Sequence, residues 1–414
     1  MAPYESDDAV DAVQGDVARD EDRHAGRRKA ARYAVPVAVV GVAAATIGLV
    51  PALAASGDPD LPKITAQQLI EKIAKSDVQQ LSGTVRVSTD LGLPDLGGLE
   101  NNLASGATKG SAGGSSADPQ SQLSTLVTGT HTLRVAADGP QRQKLSLLQS
   151  GSEYSLIHDG KDVWGYDSKS DEVYHGTSAD SGKDHRAEPP ATPKDFADQA
   201  LKSVDDTTSV TVDGTEQVAG RDAYKLLIKP RQSGTTVGAI SIAVDAKTGM
   251  PLKFTLTPKS GGAAVLDVGF TQVSFARPAG STFAFTPPKG AKVTEQKADS
   301  AARKHAPEPG EGFGKGMPGE GFGKGMNAAN VLGKGWTSIA TFDTGAKGGL
   351  PTGGSKAGDL GGFLGSLGDK VSGKFGKGTV FSTRLVNALI TDDGKVYAGA
   401  VTKAALVKAA DAGK

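Results

Sequence analysis

An alternation of apolar and polar residues between Ser209 and Gly290 constrains the fold of this chain more than any other feature. Apolar side chains recur at every second position along consecutive stretches. A period of two indicates strands of a sheet with one face on a core and one face in water. The apolar positions are Val210, Val212, Tyr224, Leu226, Ile228, Ile240, Ile242, Val244, Leu252, Phe254, Leu256, Leu266, Val268 and Phe270.

Turn-forming residues separate these stretches at Asp213-Gly214, Ala219-Gly220 and Asp245–Gly249. Short turns of this kind predict hairpins in series, which form an antiparallel meander. A second series of alternating stretches covers residues 81–176 and contains another hairpin signal at Asp159-Gly160. Because a wide sheet twists and curls, we expect the two series to enclose other elements.

Two short amphipathic helices are predicted beside these strands. Thr65 and Gln68 have the spacing of a capping box, and an apolar stripe follows them. Thr192 and Pro193 have the residue types of a helix N-cap and first position. A third helix is predicted from Thr402 to Ala410 at the end of the chain.

Glycine-rich stretches divide the chain into parts. Glycine makes up 56 of 414 residues, and much of it lies in segments that cannot repay the entropy of ordering. We predict a folded domain over 61–293, a mobile insertion at 97–122, and a linker at 294–330. The linker contains the repeat PGEGFGKGM twice, at 309–317 and 318–326. A small C-terminal α+β domain is predicted over 331–414, of β-β-β-α type with a Gly-rich loop at 344–377.

The N-terminus predicts export from the cytoplasm. A polar tail, 1–32, ends in a basic cluster and precedes the uncharged segment 33–56. The apolar centre of this segment has the length of a signal peptide, cleaved near Ala54. Its full uncharged length also suits a transmembrane anchor. Both interpretations place most of the chain outside the cytoplasm, either secreted or anchored in the cell membrane by a single span.

Composition and motifs exclude several classes of function. Lys and Arg (46) balance Asp and Glu (46), so the chain lacks the basic character of a nucleic-acid-binding protein. Cysteine is absent, which removes disulfides, thiolate metal sites and a cysteine nucleophile. Six histidines have no metal-ligand spacing, and neither a phosphate loop nor a nucleophile elbow occurs. We therefore expect no enzyme activity, no metal and no cofactor.

Several segments together resemble the LolA-like lipoprotein-carrier superfamily. They are the first predicted helix, the hairpins around DGKDVWGYDSKSDEVYHG, the helix TPKDFADQALKSV, and the pattern Ala-Tyr-x-Leu, Val-Asp and Thr-Gly-x-Pro between Ala223 and Pro251. The resemblance covers about Ile64 to Val293 and suggests an actinobacterial-type exported or membrane-anchored member. The superfamily includes LolA, LolB, the mycobacterial LppX and LprG carriers, and the RseB/MucB regulators. It carries no catalytic signature.

The resemblance implies an α+β, mainly β fold, an open antiparallel half-barrel wrapped over helices, with a hydrophobic cavity for lipid or lipoprotein acyl chains. Core packing and cavity lining both remain open as interpretations of the apolar residues. The candidate lining residues are Tyr154, Leu156, Trp164, Tyr166, Leu226, Ile228, Ile242, Phe254 and Phe270.

The C-terminal segments are similar in layout to the small domain of RseB/MucB. This similarity implies an alternative function, that of an envelope sensor that binds a membrane anti-sigma factor. A passive cell-wall or matrix protein is a third interpretation, suggested by the Gly-rich repeat.

Overall fold

The computed structural model describes residues 58–92, 115–119, 122, 124–177, 192–295, 330–343 and 368–413. The N-terminal tail, the segment 33–56 and both copies of the repeat lie outside the described residues, so what we predicted for them stays a prediction. Among the described helices, none is both long enough and apolar enough to cross a membrane.

A single large sheet dominates the described part of the chain. Its order is β12-β6-β5-β4-β3-β2-β1-β11-β10-β9-β8-β7, antiparallel throughout except for the parallel pair β12 and β6. The strands are β1 Gln80–Thr89, β2 Gly129–Asp138, β3 Arg142–Gln149, β4 Ser152–Asp159, β5 Asp162–Asp167, β6 Glu172–Thr177, β7 Thr208–Val218, β8 Arg221–Pro230, β9 Val237–Asp245, β10 Pro251–Pro258, β11 Leu266–Ser274 and β12 Lys292–Glu295.

The two predicted series of strands are the two halves of this sheet. The pairing of β1 with β11 joins them, with Val85 opposite Phe270 and Val87 opposite Val268. Both ends of the sheet are open, so it is not a closed barrel. The predicted fold class, a mainly β α+β protein with an open antiparallel sheet, is therefore confirmed.

The predicted helix caps are confirmed. Thr65 caps α1, Ala66–Ala74, and its hydroxyl accepts a hydrogen bond from the Gln68 backbone N–H while the Gln68 side chain accepts from the Thr65 N–H. Thr192 caps α2, Pro193–Lys202, in the same reciprocal way with Asp195. Local residues therefore define where each helix begins, while helices of nine and ten residues depend on packing against the sheet for their stability.

A second sheet follows in the C-terminal part, with α3, Lys403–Ala412, packed against it. Its order is β13-β14-β18-β17-β16-β15, all antiparallel. Its strands are β13 Asn330–Leu332, β14 Ile339–Asp343, β15 Asp369–Gly373, β16 Gly376–Ser382, β17 Asn387–Thr391 and β18 Lys395–Gly399. Its core contains Val380, Leu389, Tyr397, Leu406 and Ala410.

Direct bonds join the second sheet to the first. The Trp336 indole donates to the Thr208 hydroxyl at 2.8 Å, and its ring joins the core beneath the first sheet. Thr235 forms an isolated bridge with Val401. Arg384 pairs with Asp90 and donates to the Ala263 carbonyl. These contacts attach the small sheet at Thr208, the first residue of β7, and at the connections that follow β1, β8 and β10.

The structure differs from the sequence predictions in three places. Asp213-Gly214 forms a bulge inside β7 rather than a hairpin turn. The small domain has six described strands rather than three: β13 begins at the end of the predicted linker, and β15 and the start of β16 form within the predicted loop 344–377. Finally, β12 extends to Glu295, beyond the start of the predicted linker.

Asp245 organises the turn from β9 to β10 while almost completely buried, at 1 % exposed. One carboxylate oxygen accepts from the Lys247 and Thr248 backbone N–H groups and from the Thr248 hydroxyl. The other accepts from the Arg221 guanidinium at 2.5 Å. Burial alone would raise the pKa of Asp245, but Arg221 and Thr248 outweigh burial and lower the pKa below its ordinary value.

Replacing Asp245 by Asn should destabilise the protein by about 3 kcal/mol at neutral pH, because Arg221 loses its buried partner. A lowered carboxyl pKa contributes stability that is present above the unfolded pKa, about 3.9, and lost as pH falls through the folded pKa. The difference in the free energy of unfolding between wild type and D245N, measured by urea denaturation, should therefore become smaller in acid. The exposed D222N variant should change stability by less than about 0.5 kcal/mol; equal midpoints for D245N and wild type at pH 7 would contradict the prediction.

Candidate functional site

We call the face of the large sheet that carries Leu133 and Leu226 the inner face. Different elements pack on its two halves. On the C-terminal half, α1 packs on β7 and β8, and α2 packs on β9–β11. Leu69 and Ile73 of α1, with residues of α2, form one core with the strands. Neither helix makes an extended contact with β2–β6. The inner face of the N-terminal half is therefore the part that the described helices leave uncovered.

Apolar side chains continue across this uncovered half. Leu133, Leu147 and Tyr154 are buried, whereas Leu145 and Leu156 are only partly buried. Strand pairing places these side chains next to one another, since Leu147 lies opposite Leu133 and Tyr154, and Leu145 lies opposite Leu156. The result is a continuous apolar surface on β2–β4 that reaches solvent near Leu145 and Leu156.

A short segment, rather than α1 or α2, lies over this surface. We call it the return limb: residues 115–127, of which 115–119, 122 and 124–127 are described. The Ala117 carbonyl accepts a hydrogen bond from the Tyr154 hydroxyl at 3.2 Å, and Leu126 packs on the apolar cluster. Burial raises the pKa of Tyr154, so the hydroxyl remains a neutral donor.

Two carboxylates hold one end of the return limb. Glu172 accepts from the Ser116 backbone N–H at 2.8 Å and from the Ser115 hydroxyl at 3.0 Å, and Asp167 accepts from the Ser116 hydroxyl at 3.1 Å. The Lys292 ammonium also donates to Glu172 at 2.9 Å. Lys292 first and then the serine donors lower the pKa of Glu172 to about 2. Glu172 is therefore ionised at neutral pH and accepts these hydrogen bonds as a carboxylate.

Gly165 permits the close approach of the return limb. A Cβ atom at this buried position would lie 2.4 Å from the Ala117 carbonyl oxygen and 2.9 Å from the Tyr154 hydroxyl. Only a glycine lets the limb lie directly on β5 here.

Seven of the nine candidate lining residues share the inner face. Phe254 lies opposite Ile242, which lies opposite Leu226, and the pairs continue through Val85 to Leu133 and on to Tyr154. The seven are Tyr154, Leu156, Leu226, Ile228, Ile242, Phe254 and Phe270. Leu226, Ile228, Ile242 and Phe254 belong to the core under the helices, and Tyr154, Leu156 and Phe270 to the second cluster.

Trp164 and Tyr166 lie on the outer face instead, so they are not brought together with the other seven. Trp164 pairs with Ile157, and Tyr166 pairs with Ser155. Both rings contact Phe285, at 5.6 and 5.7 Å between centroids, in the segment that crosses the outer face from β11 to β12.

The sequence contains the signal for this placement. A two-residue turn after Asp159 puts Asp159 opposite Asp162 and hence Ile157 opposite Trp164. Counting through the turn would have separated Trp164 from Tyr154. The return limb has no such signal, because its short, Ser-rich sequence shows no apolar period.

Clefts elsewhere on the described residues are polar. One of about 610 Å³ lies beside α1 and the β9–β10 turn and is lined mainly by charged and amide side chains such as Glu71, Lys72 and Lys247. Another of about 240 Å³ lies next to Trp336. In the described ranges, no group of three His, Asp or Glu side chains is arranged to hold a metal ion. The chemistry offered by the inner face is therefore apolar contact.

No family model matches the chain, and a search of curated proteins found no match. Among solved structures, the chain is similar to a chain of the MucA/MucB complex of Pseudomonas aeruginosa, with 16 % identity, 83 % of this chain and 96 % of that chain covered, and a TM-score of 0.37.

Two further structures are similar over about half of the chain. An uncharacterised conserved protein from Thermus thermophilus has 14 % identity, covering 56 % of this chain and 99 % of that chain, with a TM-score of 0.30. A LolA superfamily protein from Nitrosomonas europaea has 10 % identity, covering 54 % and 99 %, with a TM-score of 0.22. MucB and LolA superfamily proteins are thus structural neighbours, but likeness this low carries no argument for function.

Replacing Gly165 by Ala should displace the return limb, because the new methyl group overlaps the Ala117 carbonyl. We expect faster amide hydrogen exchange in residues 115–127 and a destabilisation of about 1–3 kcal/mol. Gly280 provides the control, since a Cβ atom there meets open space. A limb as protected in G165A as in wild type would show that it does not lie on β5.

Proposed function

We propose that this protein is a non-enzymatic binding protein that holds the acyl chain of a lipid or lipoprotein against the inner face of β2–β5. The observation that carries the proposal is the unequal cover of the inner face. Two helices fill the C-terminal half, whereas the return limb is the main cover of the N-terminal half among the described residues. An acyl chain replaces the limb over Leu133, Leu147 and Tyr154 and enters where Leu145 and Leu156 reach solvent.

The driving force is removal of apolar surface from water. Each buried methylene contributes about 0.8 kcal/mol. The burial of a long acyl chain therefore releases enough free energy to displace a short segment and break its few hydrogen bonds. The bonds from Ser115 and Ser116 to the carboxylates are polar contacts that water can replace when the limb moves. In the form without ligand, the return limb therefore lies on the inner face. In the form with ligand, the acyl chain takes its position.

We also propose that this binding takes place outside the cytoplasm. The uncharged segment 33–56 supports export, as an anchor or as a cleaved signal peptide. A neutral chain without cysteine is compatible with folding there, since its stability rests on its core and sheet rather than on disulfides.

Replacing Leu156 by Gln should weaken binding of dansyl-undecanoic acid about tenfold or more, because a polar amide then faces the chain. A fluorescence titration measures the change. Leu148, also partly buried, provides the matched control, since it lies on the outer face opposite Glu153. L148Q should bind as wild type does. No uptake by wild type, together with no lipid on protein purified from its natural host and examined by native mass spectrometry, would refute the proposal.

Recognition of a protein partner, such as a membrane anti-sigma factor, is the second candidate function. It is favoured by the attachment of the second sheet through Arg384, which bonds to both Asp90 and Ala263. A partner that contacts both sheets needs them held in one arrangement. The lipid proposal has no such requirement.

Replacing Arg384 by Ala should therefore weaken the binding of a partner that contacts both sheets. The affinity for dansyl-undecanoic acid should remain unchanged. Surface plasmon resonance with the extracytoplasmic segment of an anti-sigma factor from the same genome measures the first effect. K370A changes an exposed residue of β15 and serves as the control. Equal affinity of R384A and wild type, or no binding to wild type, would rule out this version.

A further inference from the structure

The edge strand β12 is weakly attached to the large sheet. It has four residues, three of them exposed, and it pairs on one side only, in parallel with β6. Val293 at its centre is 42 % exposed. Four backbone positions with so little burial contribute little free energy, so side-chain contacts decide whether the strand stays in place.

His175 on β6 makes the most specific of these contacts. Its Nδ1 lies 2.8 Å from Glu295 Oε2 on β12, and its Nε2 lies 3.1 Å from Asp162 Oδ1 on β5. The Trp164 ring stacks on the imidazole at a centroid distance of 3.7 Å and an angle of 10°. Stacking fixes the plane of the ring, so both nitrogens point at carboxylates.

We propose that His175 is a proton-dependent clamp: the imidazolium holds β12 on the edge of the sheet, and loss of its proton releases the strand. An imidazolium donates from both nitrogens and satisfies both carboxylates. A neutral imidazole donates from one nitrogen only. The other nitrogen then presents a lone pair to a carboxylate oxygen about 3 Å away, and that contact becomes repulsive.

The described groups that face His175 support this assignment. Asp162 faces it from β5, Glu295 faces it from β12, and the crossing segment contributes Phe285, against the far side of Trp164. Lys161 precedes Asp162 in the turn before β5. Burial of the ring opposes its charge, but the carboxylates of Asp162 and Glu295 outweigh burial and raise the pKa of His175 above its ordinary value.

The raised pKa sets the direction of the pH dependence. A group whose pKa is higher in the docked state contributes stability that is complete below its ordinary value, about 6.5, and is lost as pH rises through the raised value. Docking of β12 should therefore weaken as pH rises above about 6.5. The Lys292–Glu172 contact at the other end of β12 does not involve His175, so the strand should open from Glu295.

Thiol labelling tests the clamp, because the chain has no cysteine of its own. Thr294→Cys places a partly buried thiol on β12, and Ser281→Cys places an exposed reference thiol on the crossing segment. The ratio of their maleimide-labelling rates removes the effect of thiolate ionisation. As pH rises, this ratio should increase by about tenfold for each unit by which docking of β12 raises the His175 pKa. NMR measures the pKa of His175.

Two variants in the T294C background decide the outcome. In H175Q and in E295Q the labelling ratio should be high and independent of pH, since neither retains the His175–Glu295 pair that links β12 to β6. Glu295 is exposed, so E295Q tests the clamp even where H175Q fails to fold, as judged by circular dichroism. A ratio that stays flat in the wild-type background, or a pH-dependent rise that persists in E295Q, would overturn the proposal.

Discussion

The pairing of β1 with β11 is the contact on which the rest of the large sheet depends. Strands β2–β6 and β7–β11 are two runs of local hairpins, and the pairing of β1 with β11 joins the two halves into one surface. Gly83 makes the close approach possible, because a Cβ atom there would lie 2.4 Å from the Gln272 carbonyl oxygen and 3.0 Å from the Phe270 ring. A register shift next to Thr84 adds local twist at the same place.

The join creates a sheet whose inner face is larger than two short helices can cover. α1 and α2 both pack on the C-terminal half, where Leu226 and Ile242 are fully buried beneath them. The N-terminal half is closed by a segment with few apolar side chains, held through hydrogen bonds to Glu172 and Asp167. The unequal cover separates a half packed under two helices from a half that, among the described residues, is covered mainly by one short segment. The proposed function rests on that division.

Local patterns predicted the local structure well. Alternation predicted the strands, and the residues at Thr65 and Thr192 predicted the helix starts, because each signal acts within a few residues. The outer-face position of Trp164 is set by the register of the two-residue turn after Asp159, which the aromatic character of the residue does not reveal. The return limb and β12 could not be predicted, because contacts such as Ser116 with Glu172 and Glu295 with His175 join distant positions and leave no periodic trace.

The chain path to β12 has a consequence for the order of folding. Strands β1–β6 are synthesised before the meander β7–β11, and β12 comes after both. Until then β6 is an open edge, with unpaired backbone groups able to recruit a strand from another molecule. Because β12 arrives by way of a segment that must first cross the outer face, protection of this edge is the last step in building the sheet. Molecules truncated before residue 292 should therefore be the ones most prone to aggregate.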